Sequence, residues 1–496
     1  MCKRSIFASL LFVGIVAGAF GCGPPAQTGP VMEIPMSTSS AEAESHFLMG
    51  LYELDLGKPS KALPHFKSAS NADPDFALAS LGIAYASGSP EETASHLEAA
   101  RMKSGNASEA EQAWISAAVK GFNNDLEGQL TDLNRLTELV PNSPRAWLQL
   151  ARCQKAMGRH EDSRRAGTKA LDVSPDFVPA IMKMGESYLF DEPRDFAIAE
   201  TYMEKILELE PDEYRSHDLL GDVYRAQGNM TKAGTTYTRA VELSPDDGMA
   251  LHQRGHVGSF LGNFDAARAD YQAAVDLSDP ANVVEFAIGK ALVAVWEGNP
   301  AQAVSELEEL VVALGTMDIA EPRSSQIWVL SIIVRIAAHY RLEDSGQKAV
   351  QVSESILTQQ ADEIGSEEFR RGKMAQLAYF EGMLAARMGN YEVANTRAQE
   401  IMGHLEDDTN PRKNEPAHEI IGMVNLLQGN YQEAIEHYQV ITPDYVYARY
   451  HLALAHEGAG HTEVARAMFE EAANYNFNDA GFCLIRNDAL AKVAEG

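Results

Sequence analysis

Two histidines stand four residues apart in Leu251–His256, read LHQRGH. On a helix this spacing brings both imidazoles to one side, the geometry with which metalloproteases hold zinc. Such a site needs more than the pair. In HExxH the glutamate after the first histidine serves as general base, and a third ligand completes the coordination. Here Gln253 follows His252, and no third ligand stands at a recognisable spacing. No metal and no cofactor are expected. His437, His451, His456 and His461 have spacings that do not share one helical face, and the adjacent acids Glu308–Glu309 and Asp246–Asp247 read as solvent charges. The chain has no GxxxxGK[ST], no GxGxxG after a strand and no GxSxG. With those elements missing, the expectation is a protein that is not an enzyme.

Composition narrows the partner class. The 496 residues are 45% apolar, as in a folded protein, and 41 basic against 71 acidic side chains give a net charge of -30. An acidic surface repels phosphate backbones and anionic headgroups, so no nucleic-acid partner is expected. Apart from Cys2 and Cys22, the cysteines are Cys153 and Cys483, 330 positions apart. They make no disulfide framework and no CxxC knuckle, and read as small buried hydrophobes or a single bridge.

The N-terminus carries an address. Lys3 and Arg4 precede an apolar run, Ile6 to Phe20, too short for a comfortable membrane span and followed by Gly21 and Cys22. Residues 1–21 therefore read as an export signal. The stretch AFGC, Ala19–Cys22, resembles the lipobox of bacterial lipoproteins, with Ala19 in the place of the usual leucine and Phe20 in that of a small residue. The resemblance implies that Cys22 is acylated and that the protein sits in the cell envelope. Gly23 is not the aspartate that retains many such proteins at the inner membrane, which implies an outer-membrane lipoprotein facing the periplasm. Residues 22–42, rich in Pro, Gly and Ser, read as a flexible tether.

The body of the chain is periodic. Pro141, Pro175, Pro211, Pro245 and Pro280 recur at steps of 34, 36, 34 and 35, and Pro74 lies 67 residues before the first of them. Between prolines one pattern returns: Gly221, Tyr224, Gly228, Ala233, Tyr237 and Ala240 precede Pro245. Small residues let two antiparallel helices approach, tyrosines fill the space between hairpins, AQGN makes the turn, and proline stops the second helix. Other copies carry Gly82, Tyr85, Gly88 and Ala94; Gly255, Gly262, Ala267, Tyr271 and Ala274; Gly422, Gly429, Ala434 and Tyr438.

This pattern resembles the tetratricopeptide repeat, a helix-turn-helix of about 34 residues. The resemblance implies an all-α, right-handed superhelical solenoid of antiparallel hairpins, about eleven repeats. Residues 43–311 form an N-terminal array, 312–366 an irregular hairpin or bend, 367–476 C-terminal repeats and 477–496 a capping helix with one face to solvent. In this family the first helix of each hairpin lines a concave groove that binds protein or peptide partners. With Gly221 as the eighth position of its repeat, the groove residues are Arg145, Arg152, Lys155, Glu186, Arg215, Asp218, Asp222, Arg225, His252 and His256, followed by Tyr379, Met383, Glu419, Met423, Tyr447 and Tyr450. The two histidines become groove positions, with a weakly pH-sensitive contact. The implied function is an interaction scaffold on a lipid anchor, with a self-assembling homo-oligomeric envelope module as the alternative.

Overall fold

The repeat unit follows from local chemistry. In the hairpin of Tyr214–Ala226 and Met230–Leu243 the first helix ends at Gly228, whose φ of +78° is open to glycine at little cost. The Gly228 and Asn229 amides donate back to Arg225 O and Tyr224 O at 2.9 and 2.8 Å, and the Asn229 side chain then accepts from the Lys232 amide at 3.2 Å. One dipeptide closes one helix and starts the next. Second helices end at Leu139, Val173, Leu209 and Leu243, each two residues before a periodic proline.

Gly221 shows why the landmark must be small. A Cβ there would stand 2.4 Å from Cε1 of Tyr237, which is fully buried and donates from Oη to Asp222 Oδ1 at 2.8 Å. The ring has no room to swing away. Gly221→Ala is expected to lose about 1–3 kcal/mol of stability, read as a lowered melting temperature. An unchanged melting temperature would mean that this interlock does not hold the hairpin.

The computed structural model describes residues 34–495, apart from 88–89, 124, 278–281, 318, 320, 409, 411, 444 and 478. The export signal, Cys22 and the first part of the tether lie outside the described residues. Among those described there are 25 α-helices, which pair in chain order as twelve hairpins and one terminal helix. The fold is an all-α array of antiparallel hairpins. No described helix is long and apolar enough to cross a membrane. The region 106–140, which lacks the glycine landmarks, forms a regular hairpin of Glu109–Phe122 and Leu126–Leu139, opened by a capping box between Ser108 and Glu111. Within 312–366 lies a longer hairpin, Pro322–Tyr340 and Glu343–Ile364, whose turn is made by Arg341 at φ +57°.

The described residues divide into two compact units, one up to Arg254 and one from Gly255 onward. In the first, the array curls on itself. Lys58, after the first helix (Ala41–Asp55), holds both carboxylate oxygens of Glu213 at 2.7 Å, and Tyr52 donates to Glu210 at 3.4 Å across 158 positions.

In the second unit the terminal helix, Ala480–Glu495, rests on the hairpin before it and also reaches the helix Val283–Trp296. Phe482, fully buried, meets the rings of Phe260 and Trp296 at 5.6 and 6.1 Å, and Cys483 Sγ lies 3.8 Å from Leu292 O. The helix expected to cap the array toward solvent therefore also fills the interior of its unit. Cys153 and Cys483 are both buried and free.

Candidate partner-binding face

In the first unit the first helices turn a row of charges toward one another. Asp55, 7% exposed, accepts from Arg145 at 2.7 Å and from Arg152 at 3.4 Å. Lys155 pairs with Asp191 at 3.2 Å. Arg215 meets Asp218 at 2.5 Å, and Arg225 meets Asp222 at 2.8 Å. Burial, opposed by Arg215 and reinforced by the carboxylates of Asp222 and Asp247, pushes Asp218 up to about 7.

Exposure separates these residues. Arg145, Asp218, Asp222, Arg225 and His252 are buried at 5% exposure or less. Arg152 is exposed, and Lys155, Glu186 and Arg215 are half-buried. Of the predicted positions in this unit these last four reach solvent, and the three cations among them, Arg152, Lys155 and Arg215, are each also paired with a buried carboxylate.

His252 is not a pH-sensitive contact. His252 is 1% exposed and His256 2%, so both sit inside the fold rather than on a groove surface. Burial and the neighbouring Arg225 push His252 down to about 3, which leaves it neutral at any physiological pH. His256 lies edge-on to Tyr271 at 5.5 Å. Among the described residues no three His, Cys, Asp or Glu side chains converge as a metal site would need.

The second unit uses its predicted positions internally. Glu419 takes the Tyr379 hydroxyl on one oxygen at 2.7 Å and the Tyr445 hydroxyl on the other at 3.0 Å, and burial raises its pKa against the opposing pull of Arg335. Arg335 lies over the rings of Tyr445 and Tyr447, 5.1 and 5.7 Å from their centroids. Arg387 donates to Ala338 O at 3.2 Å and His339 O at 2.9 Å, closing the end of the helix Pro322–Tyr340. Met383, Met423, Tyr447 and Tyr450 are buried, which corrects the expectation of an accessible aromatic and methionine-rich groove. Sequence spacing missed Arg335, His339 and Arg387. The first two lie in the long hairpin that departs from the 34-residue register, and Arg387 falls outside the four groove positions.

Two family models described as tetratricopeptide repeat match the chain, over residues 188–248 and 250–279, which fall on successive hairpins of the array. The chain carries tetratricopeptide repeats over residues 188–248 and 250–279. Among curated proteins, Protein NPGR1 of Arabidopsis thaliana is 28% identical over 133 residues, 26% of this chain and 19% of that protein. The match thus spans about a fifth of the length of that relative. Among solved structures, a tetratricopeptide repeat protein from Parabacteroides merdae is 13% identical, covers 58% of this chain and 98% of its own, and has a TM-score of 0.36. TTC0263, a thermophilic TPR protein of Thermus thermophilus, is 20% identical over 36% of this chain and 98% of its own, with a TM-score of 0.32. YrrB, described as a TPR protein with an unusual peptide-binding site, is 19% identical over 36% of this chain and 90% of its own, with a TM-score of 0.28. Tetratricopeptide-repeat proteins are generally non-catalytic, and these repeats make the chain a protein-interaction scaffold.

Proposed function

We propose that this scaffold works without catalysis and takes a protein or peptide partner on the inner face of its first unit, while an acyl group on Cys22 holds it at the periplasmic side of an outer membrane. The observation that carries the reading is a concentration of unsatisfied polar atoms on that face. Lys183 Nζ and Asp218 Oδ1 are buried without a hydrogen-bond partner, and Arg225 and Asp247 are buried as well. Each such group costs about 1–3 kcal/mol when left unpaired, so a polar peptide that pairs them gains what the free protein lacks. Arg152, Lys155 and Arg215 beside them are reachable from solvent.

The anchor rests on the Ile6–Cys22 sequence and the Pro- and Gly-rich stretch after it. Both parts are tested in cells with a photocrosslinking residue at Arg152 or Lys155, compared with Arg165 and Lys169 on the second helix of the same hairpin. The inner positions are expected to capture a defined set of envelope proteins that the other two do not. The same set from all four removes the reading. In Cys22→Ser cells the protein is expected to leave the membrane fraction; acylation that persists would remove the anchor.

A further inference from the structure

Two hairpins, one in each unit, carry the same pair of facing histidines. His46 lies on the helix Ala41–Asp55 and His65 on the next, Pro59–Ala72, with their Nδ1 atoms 3.5 Å apart. His418 and His437 stand likewise on Glu415–Gln428 and Tyr431–Tyr438, Nδ1 to Nδ1 at 2.9 Å. The register is identical. Each first histidine precedes a small landmark by four residues, Gly50 or Gly422, and each second one comes just before the ring that packs on it, Phe66 or Tyr438. A Cβ on the glycine would stand 2.6 Å from Phe66 or 3.1 Å from Tyr438, so this interlock sets the distance between the two helices and holds the imidazoles with them. The ring centroids are 5.8 and 5.1 Å apart, well beyond the Nδ1 separations, so each nitrogen is turned toward the other ring. All four side chains are half-buried, which leaves a way in from solvent.

Two neutral imidazoles facing in this way share one proton between them, or one metal ion. Zinc bonds imidazole nitrogen at about 2.0–2.1 Å, and a tetrahedral angle then sets two ligating nitrogens about 3.3–3.4 Å apart. The His46–His65 gap is close to that span, and the His418–His437 gap reaches it by opening about half an ångström. We propose that each pair is a binding site for a divalent late transition-metal ion of the zinc class, held by Nδ1 of both histidines and completed by water. Imidazole suits such ions, whereas magnesium and calcium take oxygen ligands. Among the described residues no third His, Cys, Asp or Glu joins either pair, so these are open, exchangeable sites rather than closed structural ones. A bound ion ties the first helix of its hairpin to the second, and stabilises the folded state because the unfolded chain does not hold together two histidines 19 positions apart. Spacing along one helix does not reveal such a site. Its two ligands come from opposite arms of a hairpin.

The test is calorimetric titration of the purified protein, carrying no histidine tag, with zinc chloride at neutral pH. A third pair, His456 and His461 at 3.1 Å, spans a turn, and His461→Gln in every sample removes it. Two zinc ions are expected to bind per chain, and magnesium chloride is expected not to bind. His46→Gln and His418→Gln should each leave one ion, and the two together none. His65→Gln and His437→Gln, on the second helices, should repeat these losses, and circular dichroism melting reports whether each variant folds. Excess zinc is expected to raise the melting temperature of the parent but not that of the double variant. With copper(II) in place of zinc, electron paramagnetic resonance should show two nitrogen ligands per ion; a single nitrogen would overturn paired ligation. No zinc binding, full binding by the double variant, or equal binding of magnesium overturns the proposal, and loss of zinc from one pair only overturns the site at the other.

Discussion

Asp55→Ala is expected to cost about 3–5 kcal/mol of folding stability, because it removes a carboxylate paired with a buried cation rather than a surface charge. Asp55 ends the first helix and accepts from Arg145 at 2.7 Å, with the two side chains 3% and 4% exposed. Without the carboxylate the Arg145 guanidinium stays in the interior with less attraction to offset its desolvation. Asp55→Asn keeps an acceptor of the same shape and is expected to lose less. The contact spans 90 positions, so the damage falls on the curl that brings the first hairpin to the fourth. Denaturant unfolding measures the total, and hydrogen exchange should place the earliest opening at Ala41–Ala72. A loss below about 1 kcal/mol would put this pair in the class of surface ion pairs and remove it as the clasp of the unit.

Lys183→Met is expected to act in the opposite direction and to raise stability by about 1–3 kcal/mol at pH 7. Burial, with Lys155 and Arg152 adding to it, pushes Lys183 down to about 8 from the ordinary 10.5. Below pH 8 the ammonium is charged both folded and unfolded, and the folded state carries the full penalty. Above 10.5 it is neutral in both states and the penalty is gone. Between these values the unfolded state binds more protons, so stability rises with pH through this window, by about 3 kcal/mol at 1.36 kcal/mol per unit. The methionine variant should lack that rise. A variant less stable than its parent at pH 7 would show that Lys183 is paired after all.

Most of the fold was legible along the chain because its determinants are local. Turn glycines, the prolines two residues past several of the second helices, and small residues facing large ones all act within one hairpin, so a single repeat period displays them. Where those landmarks lapse, spacing loses the register. The hairpin Glu109–Phe122 and Leu126–Leu139 keeps the fold without those landmarks, and the helices of 322–388 grow to 19 and 22 residues, which no 34-residue period describes. Twelve hairpins stand among the described residues where about eleven were expected.

What the sequence by itself determined is therefore the unit and its repetition: an all-α array of tetratricopeptide hairpins. Tertiary structure alone decided which inward residues remain reachable. That depends on how tightly each unit curls, a sum of small rotations between hairpins that leaves no local signature. The curl carries Asp55 to Arg145 and Lys58 to Glu213, and it carries Phe482 of the last helix to Phe260 and Trp296. His252 and His256 show the difference plainly. Their spacing places them on a helix of the array, but their burial follows from neighbours that spacing cannot name, and burial is what sets their chemistry.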